Sequence, residues 1–311
     1  MKVVLHIAIL LIVANPLAAQ VTGYVKDSKA RQPIPYVNIW VENENVGTSA
    51  DAQGNFTLPA IDSTKRLVFS AMGYETRKVS LSRGIDTVYL QFKAIQLAEA
   101  VFIPKRGISE RTIGNIDKKD VDVYFSTQNK PWILAKSFPY SDDYKETPYL
   151  NSIRIITKSE IKNAKFNVRL YSAGEGGEPV EYIYNDTIPG YAKKGKRITE
   201  VDLSNLAIQF PDDGFFVAIE CLIIEENRHE SKGTEIALDG PVTKKKIWKR
   251  YQPSIGSMYR ETDENTWYYS KGNWRRGMQM NIRKFNPEYA EKTRKIEGMY
   301  AVIPMELVLT D

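Results

Sequence analysis

Nowhere along this chain do apolar residues recur at the 3.6-residue spacing of an amphipathic helix. From residue 21 to about 104 they come in short alternating runs set off by turn residues every eight to twelve positions, and strand-like runs resume after Pro131. Alternation of period two puts one face of a strand inward and the other outward, and many short runs of this kind close only as sandwiches or barrels. The chain is therefore expected to be all-β. In its first third the runs are residues 21–25, 36–41, 55–58, 66–70, 76–81 and 87–90, with polar turns at 42–47 and 51–54 between them.

The punctuation between these runs has a physical reading. Pro33 and Pro35 have no N–H to give a ladder, so they mark a strand edge or a turn. Gly47, Gly54 and Gly73 fall where tight turns are expected to require positive φ. Asp51 is placed to hydrogen-bond its own turn, which makes residues 51–54 a hairpin loop. All of these are folding roles, and none performs chemistry.

The order of the elements is itself a pattern: Gly23-x-Val25-x-Asp27, then Pro33-Ile34-Pro35-x-Val37-Asn38-Ile39, then Gly47-Thr48-Ser49-x-Asp51-x-x-Gly54-x-Phe56, then Leu67-x-Phe69-Ser70-x-Met72-Gly73-Tyr74. Together they resemble the carboxypeptidase-regulatory-like domain, a transthyretin-like sandwich. The closing segment, residues 90–101 with Leu97, Glu99, Ala100 and Val101, is similar to the way that family ends. The resemblance implies seven strands in two sheets. It also implies a setting, because such modules stand at the N-terminus of TonB-dependent outer-membrane receptors and of stand-alone envelope proteins.

Export is expected independently of that resemblance. Residues 1–19 carry Lys2, an apolar run over 3–14 and small residues at Leu17-Ala18-Ala19 ahead of Gln20, the layout of a cleaved secretory signal. The apolar run is shorter than the roughly 20 residues that span a bilayer, and no other stretch is long enough. Periplasmic or outer-membrane-associated localisation is expected, with no transmembrane segment after signal removal.

Residues 104–130 are polar and without clear period, apart from one strand-like stretch at 121–125, and read as a linker. Strand signals resume after Pro131, at 152–157, 165–171, 215–224, 268–269, 278–282 and 302–309, and predict a second, larger jelly-roll-like β-sandwich over 131–311. This half resembles the second sandwich of other stand-alone envelope proteins with the same N-terminal module, and more distantly carbohydrate-binding jelly rolls.

Residues able to do chemistry are sparse. A zinc peptidase needs histidine and glutamate ligands at set spacing. The chain has two histidines, of which His6 leaves with the signal, so only His229 remains, in a polar loop. The single cysteine, Cys221, lies in an apolar run without a base beside it. Asp142-Asp143 and Asp212-Asp213 read as turn formers, with calcium ligation the alternative for such carboxylate pairs. Glu175, Glu178 and Glu181 flank Gly174-x-Gly176-Gly177, a hairpin loop and not a phosphate cradle. No enzyme, cofactor or metal is expected.

The net charge of +5 is unevenly spread, with fourteen Lys or Arg against six Asp or Glu between residues 240 and 300. Aromatic rings share that stretch, and Lys245, Trp248, Lys249, Arg250, Tyr251, Arg275 and Arg276 form the candidate binding set. Trp267 and Trp274 are expected in a core. The expected function is a non-catalytic exported binding protein of the cell envelope. Its expected partner is an envelope protein or outer-membrane complex, or an anionic glycan; nucleic acid is not expected for an exported chain. The alternative is a carbohydrate-binding or carbohydrate-processing protein using residues 244–276.

Overall fold

The computed structural model describes residues 20–93, 108–236, 243–280 and 294–311. The proposed signal at 1–19 and the closing motif around Leu97 to Val101 lie outside them. Every extended element among the described residues is a strand, interrupted only by single 3-10 turns.

The first unit holds β1 (Val21–Asp27), β2 (Asn38–Val41), β3 (Gly47–Ser49), β4 (Asn55–Leu58), β5 (Arg66–Ser70), β6 (Arg77–Ser80) and β7 (Thr87–Leu90). They form a three-stranded sheet, β4-β1-β7, and a four-stranded sheet, β3-β2-β5-β6. β1 and β7 run parallel and the other pairs antiparallel. Val25, Ile39, Phe56, Leu58, Leu67, Phe69, Val88 and Leu90 bury the space between the sheets. This is the seven-stranded sandwich that the sequence pattern implies.

Two turn readings change. Asp51 does cap its turn, accepting from the N–H groups of Gln53 and Asn55 at 2.8 Å each. That turn is a corner between sheets and not a hairpin, since β3 and β4 belong to different sheets. Gly54 and Gly73 have φ of 77° and 74°, as tight turns require, but Gly47 does not adopt positive φ. A Cβ there would instead drive into the Ile39 carbonyl and the Pro131 ring, so close approach explains this glycine.

The second unit comprises β8 (Glu110–Ile113), β9 (Val123–Thr127), β10 (Ile133–Phe138), β11 (Tyr149–Ser159), β12 (Ala164–Ala173), β13 (Pro179–Tyr182), β14 (Ile188–Ala192) and β15 (Gly195–Asp202). After these come β16 (Phe215–Cys221), β17 (Arg228–Ile236), β18 (Thr243–Arg260), β19 (Thr266–Ser270), β20 (Asn273–Arg276), β21 (Met278–Gln279), β22 (Tyr300–Val302) and β23 (Met305–Thr310). One sheet runs β13-β12-β16-β10-β19-β20 with β14 beside β12. The other runs β21-β22-β18-β11-β23-β8, with β15, β17 and β9 attached. Leu134, Phe166, Val168, Leu170, Phe215, Val217 and Ile219 meet Ile153, Ile155, Leu307 and Leu309 in one large core between the two sheets. The linker reading of 104–130 is corrected over its described part. β8 pairs with β23 and β9 with β18, so these residues belong to the second sandwich.

β3 is an edge strand, but its edge is not left open. The Gly47 N–H donates to the Asn129 carbonyl at 2.9 Å, and the Ser49 N–H donates to Ile223 O at 3.2 Å. In return the Ile223 N–H donates to Ser49 Oγ at 3.1 Å, and Thr48 Oγ1 donates to Ile223 O at 3.2 Å. Covering an edge in this way satisfies its backbone groups and removes a site of uncontrolled strand pairing. It also explains why the apolar run continues past Cys221: Leu222, Ile223 and Ile224 are buried without being part of β16.

Candidate functional site

All seven residues of β16 are buried. Phe215, Val217, Ile219 and Cys221 face the main core, whereas Phe216 and Ala218 join Ile133, Ala135 and Tyr171 in a separate cluster on the opposite face. A strand buried on both faces reads as an unbroken apolar run, as this one does. The outer face is covered by the first unit: Trp40 of β2 meets Tyr269 of β19 edge-on, with ring centroids 5.9 Å apart.

Between the two units this outer face leaves a cleft of about 380 Å³. Trp40, Tyr171, Tyr269 and Trp274 supply rings, with Tyr269–Trp274 at 5.2 Å and Tyr171–Trp274 at 5.4 Å between centroids. β12 and β20 are four strand spacings apart, about 19 Å on a flat sheet at roughly 4.8 Å per strand. Their rings touch because the sheet curls and its outer face is concave.

Arg169 and Glu220, each 2% exposed, form the floor. Glu220 follows Phe216 and Ala218 on the outer face of β16, and Arg169 lies opposite Ala218 in the register. The Arg169 guanidinium donates to both carboxylate oxygens, Nε to Oε2 and Nη2 to Oε1 at 2.8 Å each, and Asn167 Nδ2 adds a third bond to Oε2 at 3.2 Å. Burial by itself opposes the charge on Arg169, but the adjacent carboxylate overrides it and holds the guanidinium charged. Nη1 donates to the Tyr182 hydroxyl, and the Tyr171 hydroxyl lies 3.5 Å from the same oxygen. Burial pushes the Tyr171 phenol well up, so it stays protonated. At the mouth Lys93 pairs with Glu181 at 2.8 Å, beside Glu75 and Tyr74. Asn38 also lines the cleft, 5% exposed, and its Oδ1 has no partner within the protein.

The residues singled out from the sequence fall elsewhere. Lys245, Trp248, Lys249, Arg250 and Tyr251 lie on β18 in the nine-stranded sheet, whereas Arg275 and Arg276 lie on β20 in the seven-stranded sheet. The expectation of one aromatic-basic surface is corrected accordingly, since the chain folds these cations onto two sheets. Several already have acidic neighbours. Lys249 lies 3.7 Å from Glu230 across the β17–β18 ladder, and Arg276 pairs with Asp263 at 2.8 Å. Arg250 and Arg275 are exposed, Trp248 is half-buried opposite Ser231, and Lys245 stands opposite Thr234 in the register. Tyr251 and Lys249 line a second groove, of about 910 Å³, between β4 and residues 223–228.

Trp267 and Trp274 pack against the outer-face cluster, as expected of core rings, and Trp274 also lines the cleft. His229 is placed on strand β17 opposite Arg250, not in a loop. Asp142-Asp143 sit in a 3-10 turn capped by Ser141. Cys221 is buried, and burial pushes its thiol up, away from the thiolate. Among the described residues no three His, Cys, Asp or Glu side chains converge as a metal site would require, and no helix is long and apolar enough to cross a membrane.

Arg169, Tyr182 and Trp40 were missed from sequence. A signal existed for the floor: Glu220 interrupts the apolar run of residues 215–224, and a charge in a doubly buried strand requires a partner.

Comparison with known proteins agrees with the architecture of the first unit. Residues 21–102 match the family model of the CarboxypepD_reg-like domain, and the N-terminal sandwich is a domain of that kind. Over 124 residues the chain is 32% identical to the TonB-dependent receptor P3 of Formosa agariphila, a match covering 39% of this chain but 12% of the receptor. The chain thus corresponds to a small part of that receptor's length. Two structures of infectious bursal disease virus, from the Gx and Gt strains, align with 93% of this chain and 63% of theirs. Their identities are 8% and 12%, both at a TM-score of 0.23.

Proposed function

We propose that this protein is an exported, non-catalytic binding protein of the Gram-negative cell envelope, accessory to an outer-membrane complex. The regulatory-like domain and the receptor match support an envelope setting. The observation that carries the non-catalytic reading is the cleft floor. Its two charged groups, Arg169 and Glu220, are satisfied by each other and by Asn167 and Tyr182, and neither is left as a free base or acid. Such a floor holds shape and does not transfer protons.

Contact with an envelope protein is assigned to the β17–β18 hairpin, where Lys249 and Arg250 are exposed and Tyr251 borders the larger groove. Exposed cations of this kind steer association and contribute little to stability. The test is capture of outer-membrane proteins with the tagged, signal-free chain, alongside a Lys245→Ser, Lys249→Ser, Arg250→Ser variant. Retention of an outer-membrane receptor that weakens with salt and is lost in the variant is expected. Equal retention by parent and variant at all salt concentrations would refute the assignment of the hairpin, and fractionation of the native protein with cytoplasm would refute the envelope reading.

A further inference from the structure

The inter-unit cleft is separate from that hairpin, and its chemistry points to a different ligand. One wall is aromatic: Trp40, Tyr269 and Trp274 meet edge-on, an arrangement that presents ring edges and faces to one space. Polar residues line the same space: Tyr182, Asn38 and Glu75. At about 380 Å³ the cleft is within the roughly 300–1,000 Å³ of small-molecule sites.

Tyr182 is the oriented element. Its oxygen accepts from Arg169 Nη1, a donor held charged by Glu220, and faces a second hydroxyl from Tyr171. Arg169 has no acceptor to offer in return, and Tyr171 donates toward the same oxygen. The Tyr182 proton is therefore directed away from both, and Tyr182 lines the cleft. A hydroxyl that accepts from a buried cation is a strengthened donor.

We propose that this cleft binds the end of a neutral or N-acetylated oligosaccharide, a sugar ring lying on the aromatic wall and its hydroxyl oxygens accepting from Tyr182. A pyranose has both surfaces the cleft has, an apolar C–H face and a rim of hydroxyls. A wholly apolar ligand would leave the polar groups lining the cleft unpaired and desolvated. The charge at the mouth selects against acidic sugars. Among the described residues lining the mouth, Glu75 and Glu181 stand beside one cation, Lys93, which already pairs with Glu181, and the Arg169 charge is neutralised by Glu220.

The experiment is a glycan array carrying neutral, N-acetylated and uronate-containing oligosaccharides, followed by fluorescence titration of the mature chain with the strongest binder. Saturable binding of a neutral or N-acetylated glycan is expected, together with a change in tryptophan emission, since Trp40 and Trp274 line the site. Tyr182→Phe keeps the ring and removes the donor, and should weaken binding roughly tenfold with its melting transition kept. Trp274→Ala should weaken it by a similar factor, with Trp274→Phe giving a smaller loss should the alanine variant not fold. Lys145→Ser, in an exposed turn outside the cleft, should bind as the parent does. Absence of saturable binding across the array, preference for uronates, or unchanged affinity in both cleft variants would overturn the proposal. Because the hairpin assignment is read from receptor capture, it stands or falls separately.

Discussion

Replacing Glu220 by glutamine is the most incisive perturbation of this fold. The change conserves shape but removes the charge facing Arg169, which with 2% exposure cannot turn to solvent. Continuum reasoning and measurement agree that breaking a buried pair on one side costs about 3–5 kcal/mol, because an uncompensated charge remains inside. For a cooperative unit of this size roughly 2–4 °C of melting temperature follows each kcal/mol. Glu220→Gln should therefore melt about 6–20 °C below the parent. The double replacement Arg169→Met with Glu220→Leu removes both charges. It should recover most of that loss, since a buried pair adds little over apolar residues of similar volume. Calorimetry together with urea denaturation of residues 20–311 reads both variants. A loss of less than about 1 kcal/mol for Glu220→Gln, or a double variant as unstable as the sum of the two single changes, would refute a mutually dependent buried pair.

Three further outcomes follow from other parts of the molecule. Burial, then the neighbouring Tyr182, pushes the Tyr269 phenol from its ordinary value of 10 up to about 12. The unfolded chain therefore loses this proton first, and the stability Tyr269 contributes, complete below pH 10, falls away as pH rises toward 12. Tyr269→Phe should flatten that part of a urea-midpoint profile, and an unchanged slope would count against it. Gly47→Ala places a methyl group against the Ile39 carbonyl and Pro131. It should cost roughly 1–3 kcal/mol and speed proteolytic separation of the two units, and parent-like protease resistance would contradict the seam. Asp51→Ala removes an acceptor of bonds from the Gln53 and Asn55 N–H groups and from Asn55 Nδ2. Each is worth about 0.5–1.5 kcal/mol, and a denaturant midpoint equal to the parent's would show the corner is held by other contacts.

Local order was legible in the sequence because strand alternation and turn chemistry are short-range. The runs at 55–58, 66–70 and 87–90 coincide with β4, β5 and β7, and the Gly54 and Gly73 turns follow from the absence of a Cβ. The seven-stranded sandwich of the first unit was legible too, in the order of its turn residues. What lay beyond it was set by packing across long stretches of chain. Residues 110–113 look like spacer because their strand is completed by β23, almost 200 positions away, and a polar edge strand has no alternating signature of its own. The cations of residues 245–276 look like a single cluster, but a strand end and a return carry them to two sheets. Trp40 and Trp274 are ordinary strand aromatics until the β3 edge docks on Asn129 and Ile223 and the second sheet curls, which together bring them into the lining of one cleft. Composition determined that these residues would be buried or half-buried in β-structure. Only the tertiary fold decided which of them share a space, because backbone pairing between distant strands, not proximity in sequence, sets those distances.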